Sequence, residues 1–225
     1  MPRGIALIGG EEFRSGGEEL DRAVLASVEA ERPRVLVVPT AAAHERPDMA
    51  ASNGVRYFTE LGADAAPLMV LDRSDAEDES LASEVESADV VYLTGGNPAN
   101  LLDVLQGSLV LRSMTDAHQR GAVLAGSSAG AMVLGAWMRF RGWREALGIA
   151  GSIATLPHHE RAKPESVVAE LAADAPPGLT AILGTDARTG CLATGDGWTV
   201  LGMGQVAVYQ GGAWSRRTSG ESFSL

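Results

Sequence analysis

A serine flanked by glycines marks the segment Gly126 to Gly130, which reads Gly-Ser-Ser-Ala-Gly. The G-x-S-x-G spacing around Ser128 follows an apolar stretch at 122–125 and precedes a helix-prone stretch at 129–134. A strand, a tight turn and a helix in this order form a nucleophile elbow, which holds a serine hydroxyl exposed at the strand end. Glycines on both sides avoid side-chain collisions, and the helix N-terminus favours an oxyanion. We therefore predict that Ser128 is a nucleophile; a plain Gly/Ser-rich turn is the alternative.

A serine hydroxyl needs a neighbouring base, and the adjacent residues His158 and His159 are the candidates. They follow the apolar run 153–157, which places them on a loop just past a strand. Two ordinary loop histidines are the alternative interpretation, and the sequence does not show which ring faces the serine. Paired histidines also suit a metal, but the sequence nearby supplies no convincing third and fourth ligand. We therefore expect no metal and no organic cofactor.

The order of these residues bears on the class of hydrolase. In α/β-hydrolases the histidine comes late in the chain, after the acid. Here His158 follows Ser128 closely, with several apolar runs still to come. This order argues against an ordinary esterase or lipase.

Composition narrows the class of protein further. The chain has 225 residues, a net charge of −11 and 45% hydrophobic residues, which suits one large domain spanning residues 1–225. The acidic balance argues against nucleic acid or an anionic membrane as a partner. A single cysteine, Cys191, excludes a disulfide framework. The N-terminus lacks the features of a signal peptide, and no apolar run reaches membrane-spanning length, so we expect a cytoplasmic protein.

Apolar runs alternate with amphipathic stretches along the first two thirds of the chain. Strands are predicted at 5–8, 34–39, 66–71, 89–94 and 122–125, and helices at 18–31, 47–61, 75–87, 100–104 and 110–120. Short strands and hairpins are predicted after residue 148, at 180–183, 191–194, 198–202 and 206–209, with a turn at Gly195-Asp196-Gly197. Continuous β-branched strands separated by helices indicate a parallel sheet covered on both faces. We predict a three-layer α/β/α fold with a mostly parallel sheet and short C-terminal β-hairpins.

Glycines mark three of the predicted strand ends: Gly9-Gly10-Glu11, Gly95-Gly96-Asn97 and the elbow. Sites in open α/β sheets form outside the carboxyl ends of the strands. Glycine there permits close backbone approach to a ligand, although it also simply permits tight turns.

Taken together, the chain resembles the serine peptidases of the dipeptidase E and cyanophycinase group, which share a class I glutamine-amidotransferase-like (flavodoxin-like) fold. The matching segments are Leu-Thr-Gly-Gly-Asn at 93–97, Gly-Ser-Ser-Ala-Gly-Ala at 126–131, Leu-Gly-Ile at 147–149 leading to Pro-His-His at 157–159, and Gly-Thr-Asp at 184–186 followed by Thr189. The resemblance implies Ser128 as nucleophile and His158 as base. It also implies that the backbone N–H groups of Gly96 and Ala129 form the oxyanion hole.

The third member of the triad is open. Cyanophycinases carry a glutamate directly after the G-x-D element, where this chain has Ala187. Asp186 is the first choice because it lies one residue from that position. In dipeptidase E the acid lies between the serine and the histidine. The alternatives are Glu145, which lies in that interval, and Glu160, which follows the histidine by two residues. The acid matters because it orients the imidazole and stabilises its protonated form.

The resemblance implies a small peptide substrate with an aspartyl or isoaspartyl residue. Cyanophycinases carry an aspartate and a large aromatic residue around the histidine, whereas this chain has Leu156 and His159, so cleavage of a polymer is less expected. Candidate specificity residues are Asn97, Glu11, Arg161 and Lys163, and either cation could pair with a substrate carboxylate.

Other functions are consistent with the same fold. A non-catalytic member would use the pocket to bind a metabolite or a protein partner. A glutamine amidotransferase is disfavoured because it places cysteine at the elbow. Homodimers occur in the group that the chain resembles, but the sequence shows no interface stripe.

Overall fold

The computed structural model describes residues 4–195 and 197–225, and most of its strands follow the apolar runs of the sequence. The strands are β1 (Ile5–Ile8), β2 (Arg34–Val38), β3 (Asp64–Pro67), β4 (Val90–Leu93), β5 (Val123–Ser127), β6 (Trp137–Arg139), β7 (Trp143–Glu145), β8 (Ile153–Pro157), β9 (Ala181–Thr185), β10 (Thr189–Thr194), β11 (Gly197–Gly202), β12 (Gln205–Gln210), β13 (Ala213–Thr218) and β14 (Ser222–Phe223). The helices are α1 (Glu18–Ala26), α2 (Pro47–Glu60), α3 (Arg73–Ala76), α4 (Glu79–Val85), α5 (Pro98–Leu105), α6 (Leu109–Gln119), α7 (Ala129–Leu134) and α8 (Pro164–Asp174).

The main sheet has eight strands in the order β14-β11-β10-β1-β5-β4-β2-β3. Its strands β1 to β5 run parallel to one another, while β10, β11 and β14 extend it with antiparallel pairs. A second sheet has the order β13-β12-β9-β8, and β6 pairs with β7 in a hairpin. The predicted α/β fold, with a mostly parallel central sheet and additional C-terminal strands, is confirmed.

Side-chain alternation along β1 shows how the central sheet is covered on both faces. Ile5 and Leu7 belong to one hydrophobic cluster, and Ala6 and Ile8 belong to another. The first cluster includes residues of α4, α5, α6 and α7, and the second includes residues of α1 and α2. Every residue of β1 is buried. A strand buried on both faces reads as a continuous apolar run, which explains why the sequence marked it clearly.

Several elements differ from the sequence prediction, among them the strands β6, β7, β13 and β14, which were not predicted. The expected third strand at 66–71 lies earlier, at Asp64–Pro67, and the expected helix at 75–87 is divided into α3 and α4. Helix α8 was not predicted. Only Val167 of this helix is buried, so its apolar periodicity is weak. The β10–β11 hairpin is present as predicted, while Asp196 of its turn lies outside the described residues.

The sheet brings the glycine-marked strand ends together. β1, β5 and β4 are neighbours, with Ile8 opposite Ser127 and Leu93 opposite Gly126. Their carboxyl ends therefore open onto one edge of the sheet. In the part of the chain that the model describes, no helix combines the length and apolar character needed to cross a membrane.

Candidate active site

Ser128 lies at the sharp turn between β5 and α7, with φ of +48° and ψ of −105°. A Cβ atom on Gly126 would lie 2.4 Å from the carbonyl carbon of Gly130, and a Cβ atom on Gly130 would lie 2.3 Å from the carbonyl oxygen of Leu93. Only glycine fits at both positions, and a non-glycine residue at positive φ is uncommon. The backbone therefore has the strand–turn–helix geometry expected of a nucleophile elbow.

His158 faces this serine. Its Nε2 atom lies 3.3 Å from Ser128 Oγ. Its backbone N–H donates to the carbonyl of Gly9 at 2.9 Å, and its ring packs so closely on Gly10 that a Cβ atom there would lie 2.3 Å from Cε1. His158 itself adopts a left-handed conformation, with φ of +53°, directly after Pro157 at the end of β8. The turn after β1 thus sets the position of the imidazole.

His159 turns away from the serine into the second sheet. Its Nε2 atom lies 2.6 Å from the hydroxyl of Tyr209, and its ring packs against Gly184 of β9. Burial lowers the pKa of His159 and raises the pKa of Tyr209 to about 12. A neutral, buried histidine paired with a tyrosine anchors the loop, and His158 is left as the ring beside Ser128.

The loop after β4 offers backbone donors near the serine. A Cβ atom on Gly95 would lie 3.4 Å from Cβ of Ser128, so this loop adjoins the elbow. The N–H groups of Gly95 and Asn97 donate to Glu12 Oε1 and to a backbone carbonyl. The N–H groups of Gly96 and Ala129 have no acceptor within the described residues. Ala129 is the first residue of α7, where a helix leaves its N–H groups unpaired.

Asp186 does not contact His158. It follows β9 and points toward the start of β12, where Oδ2 accepts a hydrogen bond from the Gln205 N–H at 3.1 Å. Burial raises the pKa of its carboxyl group, and Oδ1 is buried without a partner among the described residues. The Nδ1 atom of His158 is likewise buried without a hydrogen-bond partner in this part of the chain. The expected Asp186–His158 hydrogen bond is therefore absent from this geometry.

Glu160 is the alternative acid whose pKa responds to the charge of His158. Its Oε2 atom accepts a hydrogen bond from the Ala187 N–H at 2.9 Å. Burial opposes the charged form, but this bond and the nearby charges of His158 and Arg161 lower the pKa of Glu160. Glu145, the other alternative, is exposed on the β6–β7 hairpin opposite Trp137. Glu160 is thus the alternative carboxylate whose charge acts on His158.

Two of the expected specificity residues, Glu11 and Asn97, form contacts within the protein. Glu11 is exposed and pairs with Arg188 at 3.5 Å. The Asn97 side chain caps α5, accepting hydrogen bonds from the N–H groups of Ala99 and Asn100. This capping contact occupies the Asn97 oxygen, which leaves only its amide N–H groups for a ligand.

A cavity of about 330 Å³ opens beside His158 and is lined by the cations Arg139, Arg161 and Lys163. Arg139 is neutralised by Glu170 at 2.9 Å. Arg161 contacts Glu160 at 3.5 Å but leaves 76% of its side chain exposed. Arg161 and Lys163 are therefore the cations available to an anionic ligand in this cavity.

Glu12 is a further residue beside the elbow, and it was not predicted from the sequence. Its carboxylate accepts hydrogen bonds from the Gly95 N–H at 2.7 Å and from the Ser127 hydroxyl at 2.8 Å. Its position shortly after the Gly9-Gly10 pair was the available signal, but only the adjacent residue Glu11 was predicted to contact a ligand. The described residues contain no group of three or more His, Cys, Asp or Glu side chains that could hold a metal ion.

Comparison with known proteins agrees with this arrangement. The model of peptidase family S51 matches residues 5–173. The cyanophycinases of Trichormus variabilis and of a Nostoc species are each 27% identical over 220 residues, which covers 91% of this chain and 72% of each relative. The crystal structure of a peptidase from an acI-B1 actinobacterium superposes with a TM-score of 0.88 and 28% identity over 99% of both chains.

A second structure, a putative peptidase E protein from Listeria monocytogenes, has a TM-score of 0.65 and covers 90% of this chain and 99% of its own. At 15% identity it shows the shared fold alone. The family match covers most of the chain, including the elbow and the histidine loop. The protein therefore belongs to peptidase family S51.

Proposed function

We propose that the protein is a serine peptidase that cleaves a peptide bond beside an aspartyl or isoaspartyl residue in a small peptide. The observation that carries this proposal is the 3.3 Å distance between Ser128 Oγ and His158 Nε2 at a nucleophile elbow. Family membership supports the peptidase activity, and the cyanophycinase relatives are consistent with it. A cytoplasmic location stays a prediction.

The chemistry follows from the positions of these groups. His158 Nε2 accepts the hydroxyl proton as Ser128 Oγ attacks the scissile carbonyl carbon. The tetrahedral oxyanion receives hydrogen bonds from the N–H groups of Gly96 and Ala129. His158 then returns the proton to the leaving amine, and the acyl group stays on the serine. Water, deprotonated by the same imidazole, hydrolyses the ester and restores the free hydroxyl.

A carboxylate near His158 would stabilise the imidazolium that forms in each step. We propose Glu160 for this role, because it lies two residues after His158 and its Oε2 atom accepts from the Ala187 N–H at 2.9 Å, at the chain position where the cyanophycinase pattern has its acid. The charge of His158 also lowers the pKa of Glu160. Asp186 is the alternative, and it requires a rearrangement that frees its carboxylate from the Gln205 N–H.

The cavity beside His158 supports an anionic substrate group. Arg161 and Lys163 line it and are exposed, whereas Arg139 is paired with Glu170. A guanidinium recognises a carboxylate through charge-assisted hydrogen bonds. These cations would therefore select an aspartyl side chain or a free terminal carboxylate over a neutral group.

A non-catalytic binding protein of the same fold is the second candidate. The Nδ1 atom of His158 favours it, because no carboxylate among the described residues forms a hydrogen bond with this atom and fixes the tautomer. A peptidase would hydrolyse peptides, whereas a binding protein would not.

The test is intact-mass analysis after exposure to a fluorophosphonate probe. We expect one adduct on the wild type, none on Ser128→Ala, and very slow labelling of His158→Ala, since the serine has then lost its base. His118→Ala, which alters a histidine on α6, is the control and should label like the wild type. An unlabelled wild type that also hydrolyses no peptide would favour the binding protein.

A panel of small peptides then tests the substrate class. We expect higher kcat/KM for aspartyl and isoaspartyl dipeptides than for their alanyl and asparaginyl counterparts. Arg161→Ala should raise KM for the acidic peptides more than for the neutral ones. Equal cleavage of acidic and neutral peptides by the wild type would contradict the proposed specificity.

A further inference from the structure

We propose that Glu12 is a positioning residue that fixes the ends of β4 and β5 against each other beside Ser128. Its effect on catalysis rests on the proposed function. One carboxylate oxygen accepts from the Gly95 N–H at 2.7 Å, and the other accepts from the Ser127 hydroxyl at 2.8 Å. These partners directly precede the oxyanion donor Gly96 and the nucleophile Ser128.

Glu12 connects the loop after β4 to the end of β5, beyond the point where the two strands pair. The β4–β5 pairing ends with Leu93 opposite Gly126, before either functional residue. Beyond that point, the N–H of Asn97 is tied to the Ala41 carbonyl at 2.8 Å on the side of β2. Glu12 supplies the contact toward β5. Hydrogen bonds to an ionised carboxylate are shorter and stronger than neutral ones, so Glu12 sets the distance between the elbow and the Gly95–Gly96 loop.

The loop that carries Glu12 is anchored on its other side by an aromatic cluster. The ring of Phe13 lies 5.7 Å from Tyr57, 5.9 Å from Phe58 and 5.2 Å from Tyr92. Glu11 and Phe13 both adopt positive φ, at 56° and 61°. Such conformations persist only where surrounding contacts hold them. This anchoring directs the Glu12 side chain toward the strand ends.

Substitutions at Glu12 can distinguish an effect of its hydrogen-bond geometry from an effect of its negative charge. Within the described residues, no Lys or Arg forms an ion pair with Glu12. A glutamine could keep both contacts, because its oxygen can accept from the Gly95 N–H while its amide donates to the Ser127 oxygen. An alanine removes both. Rescue by glutamine therefore indicates that the carboxylate acts through position.

Glu19 provides a matched control. Its Oε2 atom also accepts from a backbone N–H and a serine hydroxyl, those of Gly202 at 3.3 Å and Ser219 at 3.2 Å. Glu19 lies on α1, which packs on the other face of the main sheet from α7. We expect Glu12→Ala to lower kcat and the fluorophosphonate labelling rate by about 100-fold, the cost of a misplaced reacting group, with a much smaller change in KM. Glu12→Gln should recover most of the rate, and Glu19→Ala should match the wild type.

Amide signals in NMR spectra test the same contact without turnover. In Glu12→Ala the Gly95 amide proton should lose its downfield shift and exchange faster, and the Gly96 amide signal should move. Glu12→Gln should preserve both. Unchanged Gly95 and Gly96 signals in folded Glu12→Ala would overturn the proposal, as would equal loss of kcat in the alanine and glutamine variants. A wild type without labelling or hydrolysis would refute the proposed function, while the amide signals would still decide whether Glu12 holds the loop.

Discussion

At the scale of single residues, Asp21 is an acidic side chain that the fold buries. It lies on α1, 4% exposed, and accepts a hydrogen bond from the Tyr57 hydroxyl at 2.8 Å. Its other oxygen, Oδ1, has no partner within the described residues. Burial raises the pKa of Asp21 from 3.8 to about 7, and the charges of Glu18 and Glu12 act in the same direction.

This pKa predicts how stability depends on pH. Between pH 4 and 7 the native state holds a proton on Asp21 that the unfolded state releases, so rising pH lowers the free energy of unfolding. Above pH 7 the loss is complete and constant. Asp21→Asn has no such titration and can still accept from Tyr57. We expect its free energy of unfolding, relative to the wild type, to rise between pH 4 and 7 and then level off.

Urea unfolding of both proteins at several pH values measures this difference. Each pKa unit is worth about 1.4 kcal/mol, so the change across the window should be a few kcal/mol. A difference that stays flat from pH 4 to 8 would show that Asp21 is ionised in the native protein.

At the scale of elements, the position of His158 depends on packing between the loop after β8 and the turn after β1. The ring lies directly against the Gly10 backbone, where φ is +117°. Gly121, at the turn between α6 and β5, has nearly the same φ of +116° but nothing within 4 Å of a Cβ atom. The two glycines therefore share a backbone conformation and differ in contact.

Alanine substitutions at Gly10 and Gly121 separate the effect of the contact from the effect of backbone strain. Gly10→Ala adds both backbone strain and a clash with the imidazole, so labelling of Ser128 should fall at least about 10-fold, given the sensitivity of catalysis to small displacements. Gly121→Ala adds the strain alone, so its melting temperature should fall while labelling of the folded protein persists. Labelling rates and thermal unfolding, measured side by side, distinguish the effects. Equal labelling by both variants would mean that the ring tolerates displacement.

Local sequence patterns were sufficient to predict some elements and not others. The strand, turn and helix around Ser128 could be predicted from five consecutive residues, because the glycines, the strand and the helix are neighbours in the chain. The role of Ser128 as nucleophile stays a prediction. Helix α8 was missed because it lies on the surface over the second sheet and buries only one residue fully. Hydrophobic periodicity reports burial, and an exposed helix gives little of it.

At the scale of the whole molecule, the two sheets share one hydrophobic cluster. Leu183 and Val208 of the second sheet belong to the same cluster as Leu124 and Val200 of the main sheet. Separating the sheets would expose this shared apolar surface to water. We therefore expect the two sheets to unfold together, as one domain.

We expect one cooperative unfolding transition in scanning calorimetry, with equal calorimetric and van't Hoff enthalpies. At about 0.7 kcal/mol per residue near 60 °C, the enthalpy should be on the order of 160 kcal/mol. Two resolved transitions would instead identify the second sheet as a separately folding unit.

The sequence by itself determined the fold class and the two residues Ser128 and His158 as candidates, because strand burial and turn chemistry are written in local spacing. The tertiary structure decided which histidine faces the serine, by giving His159 a buried partner in Tyr209. It also decided that Glu12 bridges Gly95 and Ser127, residues 83 and 115 positions away in the chain, and that Asp186 points toward β12. Contacts of this range depend on how strands are ordered in the sheet, and no local pattern encodes that order.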